Sequence, residues 1–588
     1  MTMQPILQRA LQDARSGKLD AAIATVRALL RVQSKNADAM QILGLLLTQC
    51  GQSAQAVVQL ERAVALEPRS AAYRNNLGNA LAGMGKHREA AAQFEQAIAA
   101  EPSYFRAFLG LALARMVLLD SAAAAEACRR GLAIRPDWPE MIACAAAAFE
   151  AADQLDEALA CVQQALSRDR SNPILRAKLA FLLNYPARDR DTVFAAHRAY
   201  HDEIVRAAQD PPRLDADPDR PLRIGILSGD LRTHSVGYFA EAIFRTRRAD
   251  DVLVAFSTLP TGSSDSMRAR FQSLASAWVE CPILDDDGLD AAIRAQKIDV
   301  LVELSGHTQG GRLPALDRKP APVIVSAIGY PNTTGHPAVD WRIVDSITDP
   351  EGSDALATER LLRIDPCFLC YEPPDAAPEP ATPAVDTPIT FGSFNLTAKV
   401  GPETIGLWRG ALDAVPGARL LVKSKSIADE ATRRSVLSRL EAAGIDPARV
   451  ETLAYTATKD DHFALYRRMH VALDSTPYNG TTTTCEALWM GVPVVTMEGD
   501  RHAARVGASL LRAAGCGEWV ARSPAEFADI AASLAQDRAR LAEFRRTARV
   551  RLRESALLDT ASYGARFHAA LRGVWRDWCA RQAANAAR

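Results

Sequence analysis

The segment TPYNGTTTTCEALWMGVPVVT (476–496) concentrates residue types able to receive an anion. Asn479 and Gly480 suit a tight turn, and Thr481 to Thr484 add hydroxyl and backbone donors. CEALWM reads as the helix they begin, whose free N–H groups and dipole favour negative charge. A helix cap needs one such residue, so four consecutive threonines exceed capping. Glu486, expected in the first turn of that helix, either stabilises its dipole or accepts hydrogen bonds from sugar-like hydroxyls. FNLTAK (394–399) follows a predicted strand and carries Lys399 within reach of a phosphate in a crevice. TKDDHF (458–463) sets Lys459 and His462 between a strand and a helix, a place suited to a base or ribose.

Three further polar loops hold titratable groups. DLRTHSVGYF (230–239) contains Asp230 and His234 just after a predicted strand, and a histidine that titrates near neutrality can orient or deprotonate a hydroxyl. ELSGHTQGGR (303–312) supplies His307 and Arg312, and IGYPNTTGHPAVDW (328–341) supplies His336 and Asp340. Cys367 and Cys370 form CFLC, but neither a second CxxC nor a histidine pair completes a zinc set, so they read as structural and no metal is assigned. The GxSxG elbow, the GxxxxGK[ST] loop and HExxH are absent, which disfavours serine hydrolase, P-loop ATPase and zincin chemistry.

Parallel strands and their crossovers would position these loops. LRIGILSG (222–229), VLVAFSTL (252–259), KIDVLVELSG (297–306) and APVIVSAIG (321–329) alternate with helical text, the pattern of an α/β domain starting near Leu222 and running to 370. The proline-rich YEPPDAAPEPATPAVDTP (371–388) reads as a semi-rigid connector. ITFGSFN (389–395), ARLLVKS (418–424), VETLAY (450–455), VALDS (471–475) and PVVTM (493–497) then predict a second α/β domain over 389–578, with a C-terminal helix around Tyr563 to Arg576 packing on one of the two. Two such domains in series can share a crevice at the carboxyl ends of their strands.

The front of the chain is different. Ala22, Ala56, Ala90, Ala124 and Ala158 each follow the last by 34 positions, the tetratricopeptide period. Pro68, Pro102 and Pro136 keep the same spacing, and Gly44, Gly78 and Ala112 put a small residue where paired helices approach. The reading is about five repeats over 1–185, each a helix, a turn at GQS, GKH or QLD, and a second helix. A helix over 190–209 and a breaker-rich linker over 210–221 then connect to the α/β text, so 186–221 is a helical connector and linker.

Composition bounds the function. The 588 residues carry 69 Lys plus Arg against 70 Asp plus Glu, a net charge of −1 that offers no global field to nucleic acid or an anionic membrane. Apolar residues make up 48%, yet no run approaches the roughly 18 to 20 a spanning helix needs. Residues 1–19 lack the basic segment and apolar block of a secretory signal, and ten scattered cysteines suit reduced thiols, so a cytoplasmic protein is expected.

Taken with the repeats, LRIGILSGDLRTHSVGYF, LVELSGHTQGGR, APVIVSAIGYPNTTGHPAVD, FNLTAK and DSTPYNGTTTTCEALWMGVPVVT, in this order, resemble the O-linked N-acetylglucosamine transferase family with its plant SPINDLY-like relatives and bacterial homologues. The resemblance runs over nearly the whole chain. It implies a tetratricopeptide α-solenoid followed by two Rossmann-like α/β lobes in a GT-B arrangement. It also implies inverting transfer from a UDP-sugar to a protein hydroxyl, with no cofactor and no required metal. On that mapping His234 matches the family's active-site histidine near acceptor and donor. Lys399 matches the lysine that neutralises the leaving diphosphate, Lys459 and His462 the pair beside uracil, and Thr482 and Thr483 the threonines of the diphosphate helix. Asn395 and Leu396 belong to the loop beside the diphosphate, where animal members carry glutamine in place of Leu396. Thr481 stands in for a histidine of those members, and Glu486 for the aspartate that holds the sugar.

The resemblance therefore implies a protein glycosyltransferase, with UDP-GlcNAc the preferred donor and Ser or Thr the acceptor. The plant relatives use GDP-fucose on the same fold, so another nucleotide sugar (UDP-Glc, UDP-Gal or GDP-fucose) or an Asn acceptor stays open. A repeat adaptor with an inactive α/β region is the reading from a different class, and retention of His234, Lys399, His462 and the threonine run argues against it. Expected partners are the nucleotide sugar and a protein or peptide acceptor along the concave face of the repeats, with scope for self-association, and neither nucleic acid nor membrane.

Overall fold

The computed structural model describes residues 3–586 except 17, 187, 205–210, 213, 259–264, 283, 375–376, 382–386 and 457. Parts of four expected segments, 190–209, 210–221, 252–259 and 371–388, lie outside the described residues. The chain divides into two compact units, Met1–Arg168 with Ala428–Ser435, and Asp169–Ile427 with Val436–Arg588.

Among the described residues the first unit holds five helix pairs, running from Met3–Arg15 and Leu19–Val32 to Pro139–Ala151 and Leu155–Leu166. The five alanines that mark the period are all fully buried, because a larger side chain there would push the paired helices apart. Turn geometry follows the same period. Gly51 (φ 72°) and Gly85 (φ 76°) are left-handed, and so are Leu119 (φ 63°) and Asp153 (φ 64°) at the equivalent positions. The leucine adopts this conformation at a cost of about 1–2 kcal/mol, so the packing of the pair, rather than glycine, dictates the turn.

Gly78, in helix Ala71–Gly83, shows why the second small position exists. A Cβ there would lie 2.6 Å from the Phe94 ring, and one at Gly110 would lie 2.4 Å from the same ring. Phe94 is 1% exposed and fills the space between two successive repeats. Helix propensity alone favours Gly78→Ala by about 1 kcal/mol, but overpacking a ring pinned on both sides costs about 1–3 kcal/mol. The expected outcome is net destabilisation, read as faster amide exchange across Ala71–Gly83, His87–Ala100 and Phe105–Val117. Protection equal to or above the wild type would show that the ring can move aside.

Among the described residues the second unit contains two parallel sheets. The first comprises β1 (Arg223–Ser228), β2 (Val252–Ser257), β3 (Ala277–Glu280), β4 (Val300–Glu303), β5 (Val323–Ser326), β6 (Trp341–Val344) and β7 (Arg360–Arg363), in the order β3-β2-β1-β4-β5-β6-β7. The second comprises β8 (Thr390–Ser393), β9 (Arg419–Lys423), β10 (Val450–Leu453), β11 (Val471–Leu473), β12 (Val494–Met497) and β13 (Val520–Ala521), in the order β10-β9-β8-β11-β12-β13. Winding reverses between β1 and β4 in one lobe and between β8 and β11 in the other, and loops diverge there to leave a crevice at the carboxyl ends. All nine strands read from the sequence are present, and β3, β6, β7 and β13 are additions.

The two lobes treat that reversal alike. Glu303, ending β4, accepts from the backbone N–H groups of Ser305 (3.2 Å) and Gly306 (2.7 Å) and from the Ser326 hydroxyl on β5. Asp474, just after β11, accepts from Ser475 N (2.8 Å), Gly480 N (2.7 Å) and the Thr496 hydroxyl on β12 (2.7 Å). Each acid closes the loop leaving its strand, where backbone donors would otherwise be buried unpaired.

The C-terminal helix Thr560–Ala586 packs on the first lobe. Arg572 donates to Arg220 O (2.6 Å) and pairs with Asp251 (3.2 Å), and Trp575 Nε1 donates to Asp217 O (3.0 Å). Across the lobes, Arg505 donates to Ile347 O (2.5 Å), and the Ser509 hydroxyl to Asp345 (2.5 Å). Residues 377–381 of the proline-rich segment lie along helix Arg538–Arg553, where Arg545 donates to Ala381 O (2.6 Å) and Arg549 pairs with Glu379 (3.1 Å). Residues from Asp169 onward cluster with this unit, so helix Pro173–Leu182, which packs against helix Arg190–Ile204, belongs to it.

Candidate active site

The anion-receiving turn is built on β11. The Asp474 carboxylate, 3% exposed, gathers Ser475 N and Gly480 N and also accepts from Asn395 Nδ2 (3.3 Å), which ties the loops after β8 and β11 together. Asn395 Oδ1 in turn accepts from the Thr483 hydroxyl (2.8 Å). Gly480 is required by this closure, since a Cβ there would fall 2.6 Å from Thr483 Oγ1 and 2.9 Å from Asn395 Oδ1. The helix that follows is Thr482–Trp489, one turn earlier than CEALWM suggested. Its first-turn N–H groups have no intrahelical partner, and among the described residues the Thr481 and Thr482 hydroxyls have none either.

Lys399 is held beside this turn. Its ammonium donates to Asn479 O (2.8 Å) and lies 3.6 Å from the centroid of the Tyr478 ring. Among the described residues no carboxylate forms an ion pair with it. Burial lowers its pKa from 10.5 to about 8, opposed by the charge of Asp474. A desolvated cation with unfilled donor directions is the group an incoming anion would meet.

Glu486 sits in the second turn of the helix rather than the first, and its carboxylate is engaged. It accepts from His462 Nε2 (2.8 Å) and Tyr466 OH (3.3 Å) and faces the Lys459 ammonium at 3.6 Å. His462 Nδ1 is 2.8 Å from Lys423 Nζ, so the lysine donates to Nδ1 and Nε2–H points at Glu486, which fixes the tautomer. Burial pushes the Glu486 carboxyl up, but the bond from His462 and the Lys459 ammonium outweigh it and hold the pKa below the ordinary value. Lys459 also lies 4.5 Å from the Tyr238 ring of the first lobe, so this cluster spans the crevice. Leu396 is 52% exposed in the loop after β8.

His234 opens the first lobe's side. Its Nδ1 accepts from Val236 N–H (3.3 Å), with Asp230 Oδ1 3.4 Å away. Burial holds its pKa below the usual histidine value, against the opposing pull of Asp230, while burial raises that of Asp230. The positive charge of Lys459 reaches His234, which brings the two candidate halves together.

The other candidates are committed to the scaffold. His307 Nε2 donates to Thr334 O (2.6 Å), and burial drops its pKa to about 3. Arg312 pairs with Asp286 (2.7 Å), His336 with Asp317 (3.0 Å) and Asp340 with Lys319 (2.5 Å). Cys367 and Cys370 are buried and free. Among the described residues no group of three or more His, Cys, Asp or Glu is placed to hold a metal ion, and no helix is long and apolar enough to cross a membrane.

Sequence reasoning missed Asp474, Lys423, Tyr466 and Tyr478. VALDS and LLVKS did carry a signal, since each puts a charged residue at the carboxyl end of a parallel strand, where such folds bind ligands. Tyr466 and Tyr478 had none.

Two parallel-sheet lobes with an anion-receiving helix in the second, following tetratricopeptide repeats in the chain, are the arrangement of a GT-B fold with a repeat domain. Tetratricopeptide repeat families match residues 44–85 and 75–139. Glycosyl transferase family 41 matches residues 154–371 and 383–567, and the chain belongs to that family. It is 39% identical over 396 residues to SPINDLY of Arabidopsis thaliana, named as a probable UDP-N-acetylglucosamine–peptide N-acetylglucosaminyltransferase, covering 66% of this chain and 43% of that protein. Identity to the similarly named SEC of the same plant is 27% over 372 residues, covering 61% and 38%. The chain thus spans less than half the length of these curated relatives. Among solved structures, a lysine-to-methionine variant of the Thermobaculum terrenum O-GlcNAc transferase superposes with a TM-score of 0.61 at 34% identity, covering 99% of this chain and all of that one.

Proposed function

We propose that the protein is an inverting protein O-glycosyltransferase that transfers N-acetylglucosamine from UDP-GlcNAc to Ser or Thr hydroxyls. The observation that carries this reading is Lys399, a desolvated cation without a carboxylate partner among the described residues, held beside the turn that opens helix Thr482–Trp489. In the reaction the C1–O bond to the diphosphate breaks as the acceptor oxygen bonds C1 from the opposite face, and the hydroxyl proton leaves to base. Negative charge grows on the departing diphosphate. Lys399 and the N–H groups of Thr482 and Thr483 would stabilise that charge more in the transition state than in the ground state, and on this reading the task calls for no added cofactor or metal.

The cluster of Lys459, His462 and Glu486 would hold the nucleotide and sugar, with Asn395 and Leu396 flanking the diphosphate. His234, whose burial favours the neutral ring, would face the acceptor hydroxyl and orient it. Proteins named as peptide N-acetylglucosaminyltransferases among the relatives support a protein acceptor, and the concave face of the repeats is where an extended segment would bind. Self-association through the repeats is compatible with this reading, as is a reducing, cytoplasmic setting for ten free cysteines.

Intact-protein mass spectrometry of acceptor proteins incubated with UDP-GlcNAc, UDP-Glc, UDP-Gal or GDP-fucose tests it, with Lys399→Ala as control. A mass increase with UDP-GlcNAc alone, absent from the control, is the expected result. An increase with a different donor would replace the sugar assignment. No increase with any donor, together with no nucleotide-sugar binding, would leave the repeat adaptor.

A further inference from the structure

Lys399 rests on an aromatic support drawn from two distant parts of the chain. Its ammonium lies 3.6 Å from the centroid of Tyr478. Tyr478 packs against Tyr185, with centroids 5.6 Å apart and planes inclined by 32°. Tyr185 is 2% exposed and meets Phe181 edge to face at 5.6 Å. Its loop, just after helix Pro173–Leu182, is clasped from both lobes. Asn184 donates to Tyr330 OH (3.3 Å) and accepts from Asn332 (3.0 Å), while Arg501 of the second lobe donates to Pro186 O (3.0 Å) and Arg188 O (2.5 Å). So much bonding to hold a short loop has one visible result at the crevice, the delivery of the Tyr185 ring.

We infer that Tyr185 and Tyr478 are a positioning pair for Lys399: the connector preceding the lobes supplies Tyr185 to brace Tyr478, and Tyr478 keeps the ammonium dry and aimed. The pair rests on the reading of Lys399 as the group that meets the leaving diphosphate. A cation over a ring face is attracted by its quadrupole, and the ring excludes the water that would otherwise solvate the charge. The remaining charged and titratable groups about Lys399 do not replace that support. Asp474 opposes the effect of burial, Arg439 donates to the carbonyl of the adjacent Val400, and the buried Tyr330 hydroxyl is bonded to Asn184 and His197. Beyond the through-space charge of Asp474, a diphosphate oxygen would then be the first anionic group to contact the ammonium directly.

The test uses the 588-residue protein labelled with 13C at the lysine side chains. The sequence holds ten lysines, and Lys399 is assigned by the signal lost in Lys399→Arg. The wild-type signal should titrate near 8, against 10.5 for an ordinary lysine. Tyr185→Leu and Tyr478→Leu should move the midpoint up by about 1 unit or more as water reaches the ammonium, and Phe at either position should recover most of that shift. In turnover, the Leu variants should lower kcat by about tenfold or more with a smaller change in donor KM, because misplacement near the reacting groups acts chiefly on the transition state. A folded Tyr185→Leu protein with the wild-type Lys399 midpoint and kcat would overturn the inference, as would a wild-type midpoint at the ordinary lysine value. Should Tyr185→Leu not fold, Tyr478→Leu at its half-buried position decides the question. Failure of the wild type to transfer any sugar would remove the task assigned to Lys399, yet the lysine titration would still decide the pair.

Discussion

Replacing Lys399 with methionine should lower kcat by about 100- to 1,000-fold, the range seen when one preorganised donor to developing negative charge is removed. Methionine keeps most of the side-chain volume above the Tyr478 ring and deletes the charge. Donor KM should rise by no more than about tenfold, because the helix N–H groups and the Lys459, His462 and Glu486 cluster remain. The pH dependence separates this from a packing effect. The protonated form is the competent one, and its pKa in the free protein is about 8. So kcat/KM should be level below that value and fall about tenfold per unit above it, while the limb in kcat should move higher because a bound diphosphate favours the ammonium. Stability has the opposite slope. A base whose folded pKa lies below its unfolded one binds fewer protons when folded, so stability rises with pH between about 8 and 10.5, and Lys399→Met removes that rise. Steady-state kinetics from neutral to alkaline pH check the first point, and thermal melts over the same range check the second. An unchanged kcat in the methionine variant would rule Lys399 out of the chemistry.

What could be read from the sequence was what chain neighbours determine. The repeats were legible because one packing geometry recurs every 34 residues and imposes the same small residue each time, as the fully buried alanines show. The run GTTTTCE was legible because an anion cradle at a helix start is made by consecutive residues. The strands missed in the first lobe, β3, β6 and β7, are four residues each, and β3 and β7 are edge strands carrying Glu or Arg, so neither length nor apolar content set them apart. β13 has two residues and a single pairing partner, β12. The site contacts were hidden for another reason. Asp474 meets Asn395 from 79 residues away and Lys423 meets His462 from 39, and only the closed sheet sets the strand ends side by side. Glu486 illustrates the difference best. Its position in the sequence suggested an open carboxylate at a helix start, whereas one turn of helix built from the threonines moved it inward, where Lys459 and His462 meet it.

That inward position makes Glu486 the residue whose loss should disturb the second lobe most. Its carboxylate is 3% exposed and compensates Lys459 at 3.6 Å while accepting from His462 and Tyr466. Removing one partner from such a cluster leaves buried donors and a positive charge without compensation, which costs about 3–5 kcal/mol. Glu486→Ala should therefore lower the melting temperature by several degrees and abolish nucleotide-sugar binding, since Lys459 and His462 lose the acceptor that orients both. Glu486→Gln separates charge from shape: it keeps an acceptor for His462 but cannot balance Lys459 or Lys423, so binding should weaken while the fold survives. The pH signature follows from the sign of the shift. Glu486 has its folded pKa held below the ordinary 4.5, so its contribution to stability is fully present above 4.5 and is lost as pH falls through the folded value. Melts of wild type and Glu486→Gln should accordingly converge as the pH is lowered below 4.5 and stay apart above it. Parallel curves across that window would mean that the carboxylate is not ionised in the folded protein, and the cluster would then have to hold its two lysines by some other acceptor.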